Sequence, residues 1–366
     1  MNIIIFIIIL LVLVVSHEFG HFILAKKSGI RVDEFAFGFP PKIASIKKGE
    51  TTYSLNALPL GGYVKIFGEN PDEDSLNGPD KDRSFINKPK YIQAMVLLGG
   101  VAMNFLLAWI LLSFSFVSGL PTSVGTQETG VVKNAMLTVT HVAENSPAFD
   151  GGLQVGDKIL NMQAGILSTE IPSVESVQYF VARHSNEEIK IIFERGKGEI
   201  LETSITPKTG IAGSDKPAIG ISMDSIGILK LPIHKALVSG LKLTWDLTIT
   251  TAVGLFDLIV NSVRGTADIS SVTGPVGIVG IVGDAVSFGF VYLLSLTAII
   301  SINLVIINLI PFPALDGGRL LFLLIEKIKG SRISPKIANT VNAIGFGLLM
   351  LLMVVITYHD IVKIVK

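Results

Sequence analysis

Four long apolar runs divide the sequence. They cover residues 2–25, 91–127, 285–315 and 337–358, and only the first contains ionisable side chains. Each run exceeds the roughly 20 residues that an α-helix needs to cross about 30 Å of hydrocarbon, so each predicts a transmembrane helix. The first run lacks the basic n-region and the small-x-small cleavage site of a signal peptide, so it is predicted to be retained.

A fifth stretch, residues 234–263, is apolar but interrupted by charge. Its charged residues are Lys235, Lys242, Asp246 and Asp257. Charges spaced along an otherwise apolar helix predict an amphipathic helix that lies in the membrane interface. The whole segment 234–284 is therefore predicted to be interfacial, and a re-entrant path is the alternative.

Between the second and third apolar runs, residues 128–233 follow the pattern of a folded α+β domain. Apolar and polar residues alternate over 137–142, which predicts a strand, and residues 174–183 predict a short helix. Two further apolar segments, separated by Gly196-Lys197-Gly198, predict a β-hairpin with strands over 189–194 and 199–205.

The composition agrees with a membrane protein. Only 16% of the 366 residues are charged and 49% are hydrophobic, whereas soluble domains carry about 25% charged residues. The 30 basic and 30 acidic residues cancel, so no net field recruits nucleic acid. Cysteine is absent, which excludes disulfides, thiolate metal sites and a cysteine nucleophile. Histidines and carboxylates must supply any metal chemistry.

The distribution of basic residues predicts the orientation in the membrane. Lysine and arginine are frequent in 26–90 and 316–336, whereas 91–132 and 265–315 contain neither. Basic residues next to spans favour the cytoplasmic side, so the first two segments are predicted to be cytoplasmic. Both chain termini and residues 128–233 are then predicted to be extracytoplasmic.

Three ionisable side chains lie close together within the first predicted span, in the string His17-Glu18-Phe19-Gly20-His21. On a helix, His17 and His21 share a face, so both imidazoles can reach one Zn²⁺ while Glu18 lies beside the bound water. Each such residue costs about 2.5–3.5 kcal/mol inside a membrane on insertion scales, which favours a functional role. A polar cluster that joins helices, or side chains that snorkel to the interface, are the alternatives.

A catalytic zinc site needs a third protein ligand, and the end of the third span offers one. Asp316 follows the string Asn308-Leu309-Ile310-Pro311-Phe312-Pro313-Ala314-Leu315 and precedes two glycines. The prolines interrupt the helix, so the carboxylate of Asp316 can turn inward. An ordinary interfacial turn explains the same string equally well.

These strings together resemble the site-2 protease family of intramembrane zinc metalloproteases, of the bacterial regulator of sigma-E protease type. The family pattern is His-Glu-x-x-His in the first span and Asn-x-x-Pro-x-x-x-x-Asp-Gly in a later one, and Asn308, Pro311, Asp316 and Gly317 match the second part. The resemblance implies that His17, His21 and Asp316 hold one Zn²⁺ and that Glu18 is the catalytic base.

Further strings extend the resemblance over nearly the whole chain. Gly100-Val101-Ala102-Met103-Asn104 resembles a Gly-x-x-x-Asn string of the second span, residues 54–65 resemble a membrane-associated β-hairpin, and residues 273–278 resemble a Gly-Pro-x-Gly-Ile string. The resemblance implies substrate contacts at five residues: Asn56, Leu58, Gly61, Asn104 and Asn308. Pro40 departs from the hairpin pattern, where relatives often have glycine.

The segment 128–233 resembles a PDZ domain. The strings that carry this resemblance are Ser146-Pro147-Ala148 and Gly152-Leu153-Gln154-Val155-Gly156-Asp157-Lys158-Ile159. PDZ domains bind the ends of extended peptides by strand addition, so a peptide C-terminus is the implied partner. A folded spacer with an unused groove is the alternative. One PDZ-like domain is present, whereas the enterobacterial members have two.

The predicted architecture is a multi-pass α-helical membrane protein with about four transmembrane helices, a membrane-associated β-hairpin and one extracytoplasmic PDZ-like α+β domain. Its predicted parts are residues 1–127 with the hairpin region in 26–90, the domain 128–233, the interfacial segment 234–284, and residues 285–366. The family implies the bacterial plasma membrane, a lipid bilayer as surroundings, and single-span membrane proteins as substrates, such as anti-sigma factors or remnant signal peptides.

Three other functions are compatible with parts of the sequence. A metal or proton transporter also places histidine and aspartate within spans, but it needs no glutamate between two histidines and shows an inverted repeat that is not recognisable here. A catalytically inactive membrane scaffold with a PDZ module is the second alternative. A zinc protease with Glu326 as third ligand is the third, although Glu326 lacks the surrounding motif.

Overall fold

The computed structural model describes residues 1–70, 72–124, 132–143, 145–165, 167–168, 173–196, 198–211, 216–266 and 273–365. The chain forms two compact units. The first comprises residues 1–113, 237–284 and 294–366, and the second comprises residues 114–236 and 285–293.

Among the described residues, five helices are long and apolar enough to cross a membrane. They are α1 (Asn2–Lys27), α3 (Lys90–Ser118), α6 (Ile233–Val263), α8 (Phe290–Leu309) and α10 (Pro335–Val365). The sequence predicted about four such helices. The difference is α6, because its few charges are spread over 31 residues and leave an apolar window long enough to span.

Two of the predicted spans differ from the observed helices. The second apolar run ends as a helix at Ser118 and continues into strand β3 (Leu120–Ser123). The third run contains the end of helix α7 (Pro275–Phe288) and all of α8. Gly289, with φ +111°, lies between these two helices in a conformation that favours glycine. An uncharged run therefore marks apolar surroundings without fixing where a helix begins or ends.

The region between α1 and α3 is a sheet of two long, bent strands, β1 (Val32–Lys48) and β2 (Thr51–Ile66). The first half of β1 pairs with the end of β2 on one side, as in Phe35 with Val64, and with the start of β2 on the other, as in Phe35 with Tyr53. The sheet thus has four strand segments where the sequence predicted a hairpin. Two local features, the bend at Gly38 (φ +78°) and the Pro40–Pro41 pair, interrupt β1.

The far end of this sheet exposes several large apolar side chains. More than 40% of the surface of each is accessible in Phe39, Ile43, Ile46, Leu55 and Leu58. Large apolar side chains exposed on a sheet indicate contact with lipid or with another protein.

Buried contacts fix the sheet against the helices around the candidate site. Ala25 of α1, Val32 of β1, Ile66 of β2 and Val96 of α3 belong to one buried apolar cluster. Glu50, in the turn between the strands, pairs with Lys26 (2.7 Å) and with Arg83 (2.6 Å). Hydrogen bonds from Lys26 and Arg83 hold the pKa of Glu50 below its ordinary value.

The short helix α2 (Glu73–Asn77) precedes α3, and strand β3 follows α3. Near its C-terminal end the first unit contains helix α9 (Asp316–Lys329), which follows α8 after the proline-containing loop and precedes α10. Helix α9 ends at Gly330 with φ +72°, a left-handed residue that is common just after helices.

The second unit contains a sheet with strand order β3-β9-β4-β5-β7-β8, and β6 pairs with β5. Its elements are β4 (Lys133–Val142), α4 (Pro147–Asp150), β5 (Lys158–Ala164), β6 (Leu167–Ser168), α5 (Val174–Arg183), β7 (Ile189–Arg195), β8 (Glu199–Ile205) and β9 (Ile221–Leu229). The helix over 174–183 and the strand over 199–205 match the predicted bounds, and β7 and β4 extend slightly beyond theirs. Lys197 of the predicted turn lies outside the described residues.

In the Gly156-Asp157 string of the second unit, the aspartate forms an ion pair with Arg195. Asp157 is 1% exposed and accepts hydrogen bonds from Gln154 N–H (2.8 Å) and from Arg195 Nη2 (2.7 Å). The side chain of Arg195 also donates to Gly152 C=O (2.8 Å). These bonds tie the loop before β5 to the end of β7, which is why a carboxylate is required at position 157.

Candidate metal centre

Three potential metal ligands converge in the first unit. Helix α1 presents His17 and His21 on one face, with their Nε2 atoms 3.1 Å apart. Asp316 is the first residue of α9, and its Oδ2 lies 3.1 Å from His17 Nε2 and 3.3 Å from His21 Nε2. The structure therefore brings together the three residues that the sequence selected from positions almost 300 residues apart.

The spacing of the three atoms suits a zinc ion. With bonds of 2.0–2.1 Å and tetrahedral angles, the ligand atoms of a zinc site lie about 3.3 Å apart. The separations of 3.1, 3.1 and 3.3 Å are close to this value. The donor set of two imidazoles and one carboxylate leaves a fourth position open, as a catalytic zinc requires.

The orientation of His21 is set by a backbone group of α3. His21 Nδ1 lies 2.9 Å from Val96 C=O. A carbonyl oxygen only accepts, so Nδ1 carries the proton and Nε2 of the neutral ring keeps its lone pair for a metal. Such outer hydrogen bonds fix the ring tautomer in most histidine–metal sites.

Glycines allow α1 and α3 to approach closely at this level. A Cβ atom on Gly20 would lie 2.0 Å from Gly99 C=O, and one on Gly100 would lie 2.5 Å from His21 Nε2 and 2.6 Å from His17 Cε1. Any larger residue at position 100 would occupy the space in front of the imidazoles. Small residues at helix crossings permit this kind of backbone contact in membranes.

The loop before α9 holds Asp316 in place through its backbone. A Cβ on Gly317 would lie 2.2 Å from Ile310 C=O, so this glycine permits the loop to fold tightly onto the first turn of α9. Ala314 adopts φ +76°, and its N–H donates to Asn342 Oδ1 of α10 (3.3 Å). The turn that the sequence offered as an alternative to a ligand is present, and it directs the carboxylate of Asp316 inward.

Glu18 lies beside the three ligand atoms and contacts the sheet. Its Oε2 accepts a hydrogen bond from Val64 N–H of β2 (2.9 Å). On α1 it directly follows His17 and lies three residues before His21. A carboxylate adjacent to a metal centre, with no shared ligand role, is suited to proton transfer.

Comparison with known proteins assigns the family. Residues 5–352 match the model of Peptidase family M50. The chain belongs to this family. This confirms the predicted site-2 protease membership and favours a peptidase over a transporter or an inactive scaffold.

Several relatives of M50 type align over nearly their whole length. The chain is 35% identical to a protein of Clostridium acetobutylicum over 362 residues, which cover 99% of this chain and 97% of that one. It is 31% identical to zinc metalloprotease RasP of Shouchella clausii, with 98% of each chain covered. Zinc metalloprotease RasP of Oceanobacillus iheyensis is also 31% identical, with 97% of each chain covered.

The remaining predicted site residues of this M50 protein have different surroundings. Asn104 is fully buried on α3, one turn beyond Gly100, and neither polar atom of its side chain has a hydrogen-bond partner within the described part of the chain. Asn308 is partly buried in the last turn of α8. Asn56 donates to Gly38 C=O (3.0 Å) and so contributes to the sheet itself.

Leu58 and Gly61 lie in β2. Leu58 is 48% exposed and pairs with Phe39, so it belongs to the apolar end of the sheet. A Cβ on Gly61 would lie 2.9 Å from the Phe39 ring, which explains a small residue there by packing. Glu326, the alternative third ligand, pairs instead with Lys90 and accepts from Ile333 N–H (2.9 Å).

Sequence reasoning did not identify every residue that shapes this centre. The partners Val96 C=O and Val64 N–H are backbone groups, so their side chains carry no signal. Gly99 is recognisable only as the neighbour of Gly100. Arg319 and Glu69 form an ion pair next to Glu18 and were not selected, because charged residues beside a span are common.

Replacing Gly100 with alanine should remove metal binding. The added methyl group would lie within 2.7 Å of both imidazoles, so the rings must turn away from Asp316. We expect bound zinc to fall by at least about tenfold, as metal sites tolerate ligand shifts of only ~0.2 Å. Metal analysis of the purified protein measures this. Gly254→Ala in α6 is the control, since nothing lies within 4 Å of its added methyl; equal zinc in both variants would contradict the packing argument.

Proposed function

We propose that this M50 protein is an intramembrane zinc metalloprotease in which His17, His21 and Asp316 hold the metal and Glu18 is the catalytic base. The observation that carries the proposal is the convergence of the three ligand atoms at zinc-like spacing, with Glu18 alongside. A zinc ion in such a site polarises the scissile carbonyl and acidifies a water molecule.

The protein's own residues then move the protons. Glu18 takes a proton from the attacking water and delivers it to the leaving amine. The hydrogen bond from Val64 N–H engages one carboxylate oxygen of Glu18 and restricts the orientation of the group. His17, held close to α3 by Gly100, and His21, oriented by Val96 C=O, keep their lone pairs directed at the metal position.

The substrate is a transmembrane segment of a single-span membrane protein, such as an anti-sigma factor or a remnant signal peptide. A helical segment shields its peptide carbonyls in its own hydrogen bonds, so it must unwind before cleavage. The end of β2 lies next to Glu18 and offers backbone groups for pairing with an extended segment. Asn104, whose buried amide has an unused donor and acceptor, is placed to bind the exposed substrate backbone.

The second unit is a PDZ-like domain that binds an extended peptide end. A cavity of about 700 Å³ lies between β9 and α5, and its apolar lining includes Val177, Val181, Ile221 and Met223. Strand β4 pairs with one edge of β9 from Ile221 onward. On the opposite edge, within the described part of the chain, β3 pairs with Ile226–Leu229 and Val124 N–H donates to Ser225 C=O (3.0 Å), which leaves the start of β9 for strand addition from the cavity.

The protein resides in the bacterial plasma membrane with residues 26–90 and 316–336 in the cytoplasm and both termini outside. Helix α6 lies in the outer interface and does not cross. Leu243 and Leu247 of α6 contact a buried cluster of α3 and α8, whereas Lys242, Asp246 and Asp257 are exposed on another side of the helix. The exposed surface of α6 carries these charges together with large apolar side chains such as Trp245 and Phe256, and such a mixture suits a membrane interface.

Glu18→Gln and Asp316→Asn should separate the base from the ligand. We expect Glu18→Gln to retain about one zinc per chain and lose cleavage of a single-span substrate, because it removes only the base. Asp316→Asn should lose both zinc and cleavage, because a neutral amide is a poor zinc ligand. Metal analysis and a cleavage assay of detergent-purified protein measure both properties, with the exposed Asp257→Asn as control. Full zinc and normal cleavage in Asp316→Asn would remove Asp316 from the site.

Cysteine labelling in intact cells tests the orientation, since the chain has no native cysteine. An impermeant thiol reagent should label Ser204→Cys in the second unit and Asp257→Cys in α6, but not Asn77→Cys. All three positions are exposed. Protection of Asp257→Cys would mean that α6 crosses the membrane, and labelling of Asn77→Cys alone would invert the topology.

Filling the cavity of the second unit should abolish peptide binding. Ala182 is exposed and lines the cavity, so Ala182→Trp obstructs it without changing the buried core. A fluorescent peptide with an apolar C-terminal residue should bind the wild-type protein and the Ser204→Trp control, and should not bind Ala182→Trp. The same peptide with an amidated C-terminus distinguishes recognition of the chain end from general stickiness. Equal binding of all proteins to both peptides would leave the domain as a spacer.

A further inference from the structure

An ion pair connects the helix of the third ligand to the end of the sheet. Arg319 lies three residues after Asp316 on α9, so both side chains are on the same side of the helix, about one turn apart. The guanidinium of Arg319 pairs with the carboxylate of Glu69, and its charge also interacts with that of Glu18. Glu69 lies three residues after the end of β2, and its N–H donates to Ile66 C=O (3.2 Å).

The end of β2 and the residues after it therefore contact both helices that carry the proposed metal ligands, α1 and α9. Val64 N–H binds the carboxylate of Glu18 on α1, and five residues later Glu69 binds Arg319 on α9. One short segment of chain thus joins the helix that carries the base and both imidazoles to the helix that carries Asp316.

We propose that the Glu69–Arg319 ion pair is a positioning contact that sets Asp316 against His17 and His21. The inference rests on the ligand assignment of the proposed function. It makes the end of β2, the strand on which the substrate is proposed to lie, a structural support of the metal ligand.

The position of Asp316 at the start of α9 explains why such a support is needed. The N-cap residue, Leu315, makes no side-chain capping hydrogen bond, and the 3.3 Å bond to Asn342 is long. Rotation of α9 by a few degrees would move the carboxylate of Asp316 by more than the ~0.2 Å that metal ligands tolerate. An arginine fork holding a carboxylate restricts such a rotation better than a flexible lysine would.

The pair is suited to fine positioning rather than to holding the fold together. The side chains of Arg319 and Glu69 are 32% and 19% exposed. Ion pairs with this much exposure contribute little to global stability. The buried apolar contacts of Leu320 and Leu323 with the neighbouring cluster hold α9 in place when the ion pair is removed.

The experiment measures zinc release from the detergent-purified full chain to an excess of chelator. We expect Arg319→Gln and Glu69→Gln each to accelerate release by about tenfold, the range for partners that orient metal ligands. The double variant should release zinc no faster than either single variant, since both remove the same contact. Arg319→Lys, which keeps the charge but not the fork, should fall between the wild type and Arg319→Gln.

A matched control and a stability measurement separate positioning from folding. Arg83→Gln removes another ion pair of the first unit, with Glu50, and should leave zinc release unchanged. The melting temperature of the metal-free protein should be the same in all variants. Three results would each overturn the proposal: zinc release at the wild-type rate in both single variants, additive acceleration in the double variant, or a lowered melting temperature of the metal-free protein. If Arg319→Gln does not fold, Glu69→Gln alone decides.

The outcome depends on the ligand assignment but not on whether the protein cleaves a substrate. Zinc release is measured without a substrate, so a wild-type protein that holds zinc but cleaves nothing would contradict the protease and still test the ion pair. Asp316→Asn is measured alongside: if it releases zinc as slowly as the wild type, the ligand assignment fails first.

Discussion

The close crossing of α1 and α3 is the constraint on which the rest of the site depends. At Gly20 and Gly99 the two backbones come so near that a Cβ atom on Gly20 would lie 2.0 Å from Gly99 C=O. This contact brings Val96 C=O within reach of His21 Nδ1 and puts Gly100 in front of both imidazoles. With larger residues the helices would separate, and neither the ring orientation nor the space for a metal would survive.

The sequence pointed to the three proposed ligands because their signals are local. His17 and His21 lie four residues apart on one helix, and Asp316 follows a proline-rich string and precedes two glycines, so each part is recognisable within about ten residues. The supports were not predictable in this way. Val96, Val64 and Glu69 act through a carbonyl, an N–H and an ion pair that join segments 75, 46 and 250 residues apart in sequence. Such pairings depend on the tertiary structure and leave no periodic pattern.

The same distinction explains the successes and errors in the fold. Strand β8 and helix α5 have the predicted bounds, because alternation and helical periodicity report local structure. The break at Gly289 and the four-segment sheet were missed. Both depend on how far a segment continues in one conformation, and composition alone does not encode that. A low charge content indicates that a segment lies in apolar surroundings, but it does not show where helices and strands within the segment begin and end.

Inside a membrane, a buried polar side chain without a hydrogen-bond partner indicates a functional role. Leaving a buried amide without partners costs about 1–3 kcal/mol, so stability alone does not favour Asn104. An unwound substrate also lacks hydrogen-bond partners, because hydrocarbon contains no water to bind its freed N–H and C=O groups. Asn104 has one donor and one acceptor unused, one helical turn from the glycine that faces the imidazoles. A side chain that is costly in the empty site and could bond an unwound peptide agrees with the substrate contact proposed for Asn104.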